Sequence, residues 1–143
     1  MTNAISSFGT LLKIGDGGAT ETFTTIAEVQ DISGPSFSLD TAEVTSHSSA
    51  GGWKEYIGTL VDGGEVSFDI NFLPTETTHG YSAGLLKDLV NKTVRNFQLV
   101  FPDASSTTWQ FAALVTKFET SEPYGDKLSA SVTLKLTGQP TLA

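Results

Sequence analysis

Gly80-Tyr81-Ser82-Ala83-Gly84 fits the G-x-S-x-G pattern of a nucleophile elbow, where a serine at a sharp strand-to-helix turn attacks an acyl carbon. That chemistry needs a strand running straight into the turn and a general base later in the chain. Here Pro74 and the polar Thr75–Thr78 run precede the match, and both histidines, His47 and His79, come before Ser82. The expectation is a helix start in which small residues pack closely; a hydrolase would instead lose its activity on Ser82→Ala. His47 and His79 each stand alone, so no i, i+4 pair is available to grip zinc, and both are expected at a surface or an interface. Asp16-Gly17-Gly18 and Asp62-Gly63-Gly64 are too short for calcium loops and read as turns. No phosphate-cradling G-x-x-x-x-G-K-[ST] loop occurs, and Asn91-Lys92-Thr93 is a glycosylation sequon by pattern only. No catalytic, cofactor-binding or metal-ligating residue emerges, and the expectation is a protein that is not an enzyme and needs no cofactor.

The composition narrows the remaining classes. The chain has 143 residues, a length that suits one domain. Eight Lys and Arg face 16 Asp and Glu, a formal net charge of -8. Such a balance excludes the broad basic patch of a nucleic-acid binder and the polybasic anchor of a membrane-surface protein. With no cysteine there is no disulfide, thiolate zinc site or cysteine nucleophile. The first fifteen residues lack the basic start and apolar run of a signal peptide, and no apolar stretch nears the roughly 20 residues of a membrane helix. A soluble, cytoplasmic product is expected.

The elements that would carry any site are mostly strands. Twenty Thr, 15 Ser, 14 Gly and 9 Phe make a composition of short strands and turns. In Glu65–Phe72, Val66, Phe68, Ile70 and Phe72 share one face and Glu65, Ser67, Asp69 and Asn71 the other. Lys127–Thr137 repeats the alternation, with Leu128, Ala130, Val132, Leu134 and Leu136 facing in. Further strands are expected at Phe8–Ile14, Phe23–Ile32, Phe37–Val44 (with Phe37 and Leu39 buried), Val94–Phe101 and Trp109–Thr120. The last has apolar residues on both faces, so it is either covered twice or bulged midway. Leu85, Leu86, Leu89 and Val90 recur at helical spacing, which predicts a helix over about 79–91, capped by Thr77 or Thr78 and packed on a sheet.

Residues 45–64 show neither pattern. The stretch exceeds the roughly 12–15 residues beyond which a structureless loop needs a reason, and it carries Trp53, Tyr56, Ile57, Leu60 and Val61. An aromatic-rich loop of this kind either folds over the core or finds a partner, and the partner is the favoured reading. Many strands with unblunted edges add to this: sheet edges are paired with another copy or protected. Closed rings leave no free edge. The competing reading is a monomeric immunoglobulin-like or carbohydrate-binding sandwich that uses Trp53, Tyr56 and Tyr124 as stacking platforms.

Several stretches together resemble the tail tube proteins (major tail proteins) of long-tailed, lambda-like bacteriophages. They are Leu11–Gly18 (LLKIGDGG), Ile26–Ser36 (IAEVQDISGPS), Glu43–Phe68 (EVTSHSSAGGWKEYIGTLVDGGEVSF), Phe101-Pro102-Asp103, Thr116–Gly138 and Gln139-Pro140, with the central block the most specific. The resemblance implies a mainly β fold: two packed antiparallel sheets, a sandwich or partial barrel, flanked by one α-helix. It implies a single tail tube domain over 1–143, without the C-terminal immunoglobulin-like domain of many relatives. It further implies homohexameric rings stacked into a tube in the virion. The partners would be other copies, the tape measure protein and tail tip or terminator proteins, with double-stranded DNA passing through during ejection and no membrane involved. Before assembly the chain would sit in the host cytoplasm. On this reading His47, Trp53, Lys54, Tyr56, Ile57 and Leu60 belong to the assembly loop and its inter-ring contacts. A ring of copies at -8 each would repel DNA from a narrow pore, with Asp40, Glu65, Ser67, Asp69 and Asn71 as the residues expected to face it.

Overall fold

A computed structural model describes residues 2–81 and 83–142. It is mainly β, with two antiparallel sheets and one short helix, the architecture expected above. The strands are β1 (Leu11–Gly15), β2 (Phe23–Thr25), β3 (Val29–Ser33), β4 (Ser38–Glu43), β5 (Tyr56–Asp62), β6 (Glu65–Asn71), β7 (Val94–Val100), β8 (Thr108–Ser121) and β9 (Ser129–Leu142). The helix α1 spans Leu85–Val90. Seven strands form one sheet in the order β2-β1-β7-β8-β9-β6-β3, while β4 and β5 pair only with each other.

The seven-stranded sheet is rolled. Laid flat, its outer strands β2 and β3 would stand about 29 Å apart at the usual spacing between strands. Yet only Ile26, Ala27 and Glu28 join them, a link that reaches about 14 Å at full extension. The sheet therefore curls until its two edges approach, and the result is a partial barrel around one core. The period-two strands supply that core: Val66, Phe68 and Ile70 from β6, Ala130, Val132, Leu134 and Leu136 from β9, with Leu12, Phe97, Leu99, Phe111 and Val115 opposite. Phe97 and Phe111 stack with ring centroids 6.0 Å apart.

The expected strand Phe23–Ile32 is two strands on opposite edges of the sheet. The break falls at Glu28, whose φ of 56° is incompatible with a continuing strand. β8 is bulged: its register against β9 shifts between Gln110 and Ala112 and again between Val115 and Lys117. After the second shift the inward positions change parity, which is why Val115 and Phe118 both turn towards the core.

Three expectations need correction. Phe8 lies ahead of β1 and is 92% exposed, and Leu128 precedes β9 and is also exposed. Phe37 and Leu39 are exposed and not buried, because β4 leaves the barrel. The helix is shorter than its apolar spacing suggested. Residues 74–81 are occupied by turns, and Gly84, not Thr77 or Thr78, is the N-cap. Thr78 is otherwise engaged, since its Oγ1 accepts the Ala27 N–H at 3.2 Å. Leu85 is the fully buried apolar residue of the helix, Leu86 and Leu89 are half-buried, and Val90 is exposed.

Candidate assembly surface

The stretch read as a structureless loop is the outer half of a hairpin. β4 and β5 pair antiparallel from Ser38↔Asp62 to Glu43↔Tyr56, and every residue of both strands is exposed. A turn at Ala50–Gly52 closes the far end. The pattern was not read as a strand because neither face of the ribbon is buried, so selection for alternation is missing. Leu39, Gly58, Tyr56 and Val61 share one face, and Ala42 and Ile57 share the other. Leu60 lies in the bulge between Leu39 and Thr41 and their partners. Exposures are 57% at Leu39, 79% at Trp53, 73% at Leu60 and 72% at Val61.

The far end holds its shape through its own hydroxyls. Thr45 Oγ1 accepts from the Glu55 N–H at 2.8 Å, and Ser49 Oγ accepts from the Ser46 N–H at 3.0 Å while donating to Glu55 Oε2. The Ser- and Thr-rich composition of 45–49 thus replaces the missing apolar packing with local hydrogen bonds. His47, Trp53 and Lys54 ride exposed on this tip.

The root is rigid. Gly64 has φ 70° and packs on the Ser36 backbone so closely that a side chain would collide with that carbonyl. Its own carbonyl accepts the Leu136 N–H at 3.1 Å, tying the hairpin to β9. Asp62 Oδ1 accepts the Gly64 N–H at 2.9 Å and Oδ2 lies 3.6 Å from Lys135 Nζ, and these contacts hold the Asp62 carboxyl below its ordinary value. Just ahead of β4, Phe37 meets Trp109 with centroids 5.7 Å apart, and Trp109 meets Phe101 edge-on at 5.0 Å.

The residues expected to face a pore are only partly gathered. Glu65, Ser67, Asp69 and Asn71 lie along β6 on the sheet's polar face, whereas Asp40 lies on the hairpin. The register puts Lys135 opposite Glu65, Thr133 opposite Ser67 and Ser131 opposite Asp69, with Lys117 and Glu119 next in the same rows. Lys117 and Lys135 therefore share these rows with Glu65, Asp69 and Glu119, and Asp62 and Glu28 reach the same rows through Lys135 and Asn71, so the strip stays net negative. Asn71 is half-buried and its Nδ2 donates to Glu28 Oε1 at 3.3 Å.

Ser82 lies outside the described residues. The glycine that closes its motif has a packing role: a Cβ on Gly84 would lie 2.7 Å from the His79 amide nitrogen, so the helix start sits directly on the Thr77–His79 backbone. The expectation for His79 was wrong in place. It is fully buried, held by the turns that precede α1, with the Leu73 N–H donating to Nδ1 at 3.2 Å and Nε2 donating to the Ala27 carbonyl at 2.6 Å. Sequence reasoning also missed the pair Asp88 and Arg95. Asp88 is 1% exposed, and Arg95 donates from Nε to its Oδ1 at 3.0 Å and from Nη1 to the Gly15 carbonyl at 3.2 Å. Burial pushes the Asp88 carboxyl up, and Arg95 offsets part of that push. Asp16 is held low by the Gly18 and Thr22 amides, and Asp103 by the Thr107 hydroxyl and amide. Among the described residues no group of three or more His, Asp or Glu could hold a metal ion, and no helix is long and apolar enough to cross a membrane.

Comparisons with known proteins converge. The family model described as lambda phage tail tube protein matches residues 12–143. No curated protein matches. Among solved structures, the tail of an empty gene transfer agent particle, refined helically with C6 symmetry, is 21% identical with a TM-score of 0.75, covering 98% of this chain and 99% of that one. A chain in the virion of a native gene transfer agent particle gives 22% and 0.76 at the same coverage. A chain of the sheath/tube terminator of an extracellular contractile injection system gives 15% and 0.70, covering 99% of this chain and 98% of that one. At these identities the likeness is one of fold.

Proposed function

Because the chain belongs to the lambda phage tail tube protein family, a structural family of the virion tail and not a family of enzymes, we propose that its copies join through the β4–β5 hairpin into rings of six that stack as a tube. The observation that carries this is the hairpin. A two-stranded ribbon is at best marginally stable alone in water, and this one exposes apolar side chains on both faces and, among the described residues, has no strand beside either edge. Neighbouring copies would cover Leu39, Trp53, Tyr56, Ile57 and Leu60, with His47 and Lys54 at the margins. Six-fold rings draw support from the C6 tail of the gene transfer agent, whose chain shares the fold.

The tube would contain the tape measure protein, end on terminator and tip proteins and conduct double-stranded DNA, after assembly from subunits in the host cytoplasm. The whole described chain would act as one tail tube domain. The β6 face is the proposed wall of the channel, with Glu65, Asp69 and Glu119 offset by Lys117 and Lys135. Such a wall is net negative and rich in hydroxyls, which would keep a polyanion from adhering to it. Asp40, exposed on the hairpin, would also face the channel. Negative-stain microscopy of the purified chain at high concentration tests the proposal: rings or hollow tubes are expected, and a monodisperse monomer at every concentration would overturn it.

A further inference from the structure

We propose that the hairpin tip of one copy docks in the groove beside the free edge of β3 in a second copy, seating the Trp53 indole against Ile32 and Phe101 and the Lys54 ammonium at the Asp31 carboxylate. This rests on the reading that copies join through the hairpin, and it names the surface that receives it.

The groove is a cavity of about 890 Å³ between residues 5–10 and β3. β3 is the last strand of the seven-stranded sheet, paired with β6 on one side only, so its other edge carries free N–H and C=O groups. Leu99, Phe101 and Pro102 line it, and Val29 and Ile32 stand half-buried at its side. The volume lies within the roughly 300–1,000 Å³ of cavities that enclose a small ligand, enough for an indole and its neighbours.

Charge selects the occupant. Copies at -8 each repel, so a contact between them needs a local pair of opposite sign. Between Ser36 and Gly64 the hairpin carries Asp40, Glu43, Glu55 and Asp62 but a single cation, Lys54, adjacent to the exposed Trp53. Among the described residues lining the groove, Asp31 is the one charged side chain, and it is exposed. An aromatic anchor beside a cation on one surface meets an apolar hollow beside a carboxylate on the other, the arrangement of a central anchor with a polar rim.

The chain has no cysteine, which makes the test clean. Asp31→Cys and Lys54→Cys variants are mixed under conditions where the unaltered chain forms tubes, oxidised, and run on a non-reducing gel. A covalent dimer is expected from the mixture and not from either variant alone. Tubes without the cross-link would overturn the docking while leaving assembly standing; failure of the unaltered chain to form any assembly would overturn both. The double variant in dilute monomer should stay unbridged, since an internal bridge would mean that the tip closes its own groove. Lys54→Glu and Asp31→Lys should each raise the concentration needed for assembly about two- to fivefold, and the two together should restore it. No restoration would overturn the pairing.

Discussion

His79 Nε2 lies 2.6 Å from the carbonyl oxygen of Ala27, across 52 residues of chain and on the segment that joins the two edges of the rolled sheet. Thr78 takes the N–H of the same residue, and the Ile26 N–H reaches the Leu12 carbonyl at 2.9 Å. Both backbone polar groups of Ala27 are thus satisfied from the turns before α1, while Ile26 and Glu28 are tied to β1 and β6. Those turns act as a latch on the barrel seam, and the buried histidine is a structural part with no need of chemistry.

His79→Ala should therefore cost about 2–4 kcal/mol of stability, from two lost hydrogen bonds and the hollow left behind. Urea unfolding of the monomer measures it. A loss under about 0.5 kcal/mol would show that the latch does not hold the seam.

The helix offers a sharper contrast. Leu85 is fully buried against the sheet and Leu86 is half-buried. Leu85→Ala is expected to cost about 2–5 kcal/mol and Leu86→Ala about 1 kcal/mol, read by the same unfolding curves. Equal losses would contradict the assigned helix face.

How much of this was legible depends on what burial does to sequence. β6 and β9 declare themselves because one face is dry: Val66, Phe68 and Ile70, and Ala130, Val132 and Leu134, must alternate with polar neighbours. β5 hides because Tyr56–Asp62 is wet on both sides within one chain, so Ile57 and Leu60 break any period. α1 was over-extended because Gly80 and Gly84 draw the chain into tight turns that helical spacing cannot reveal. His79 and Asp88 were invisible for a different reason. A lone histidine and a lone aspartate carry no pattern, and only the fold brings Ala27 and Arg95 to them.

Asp88 makes stability depend on pH in an unusual direction. Its folded-state pKa lies above the ordinary 3.8, so the folded chain holds the proton more tightly than the unfolded one. The stabilisation from this group is complete below about pH 3.8 and is lost as pH rises through the folded-state value. Asp16, Asp62 and Asp103 act oppositely, contributing above 3.8 and losing the contribution as pH falls through their lowered values. Comparing Asp88→Asn with the unaltered chain by denaturant titration at several pH values should show the unaltered chain's relative advantage shrinking as pH rises from about 3.8. An advantage that grows over that range would contradict the assignment.

Trp53→Ala removes the largest exposed apolar group of the hairpin tip without touching the core. Circular dichroism should report an unchanged fold and an unfolding midpoint within about 0.5 kcal/mol of the original, while sedimentation at high concentration should show the loss of large species. Assemblies of normal size would show that the tip is not an anchor.

Amide hydrogen exchange along β5 tests the central idea most directly, because it reports on the ribbon itself. In dilute monomer Tyr56–Asp62 should exchange fast relative to Val66–Ile70 and Val132–Leu136, since a ribbon exposed on both faces opens at little cost. In assembled tubes the same amides should become strongly protected while the core amides stay as they were. Tubes in which β5 still exchanges at its monomer rate would contradict the account.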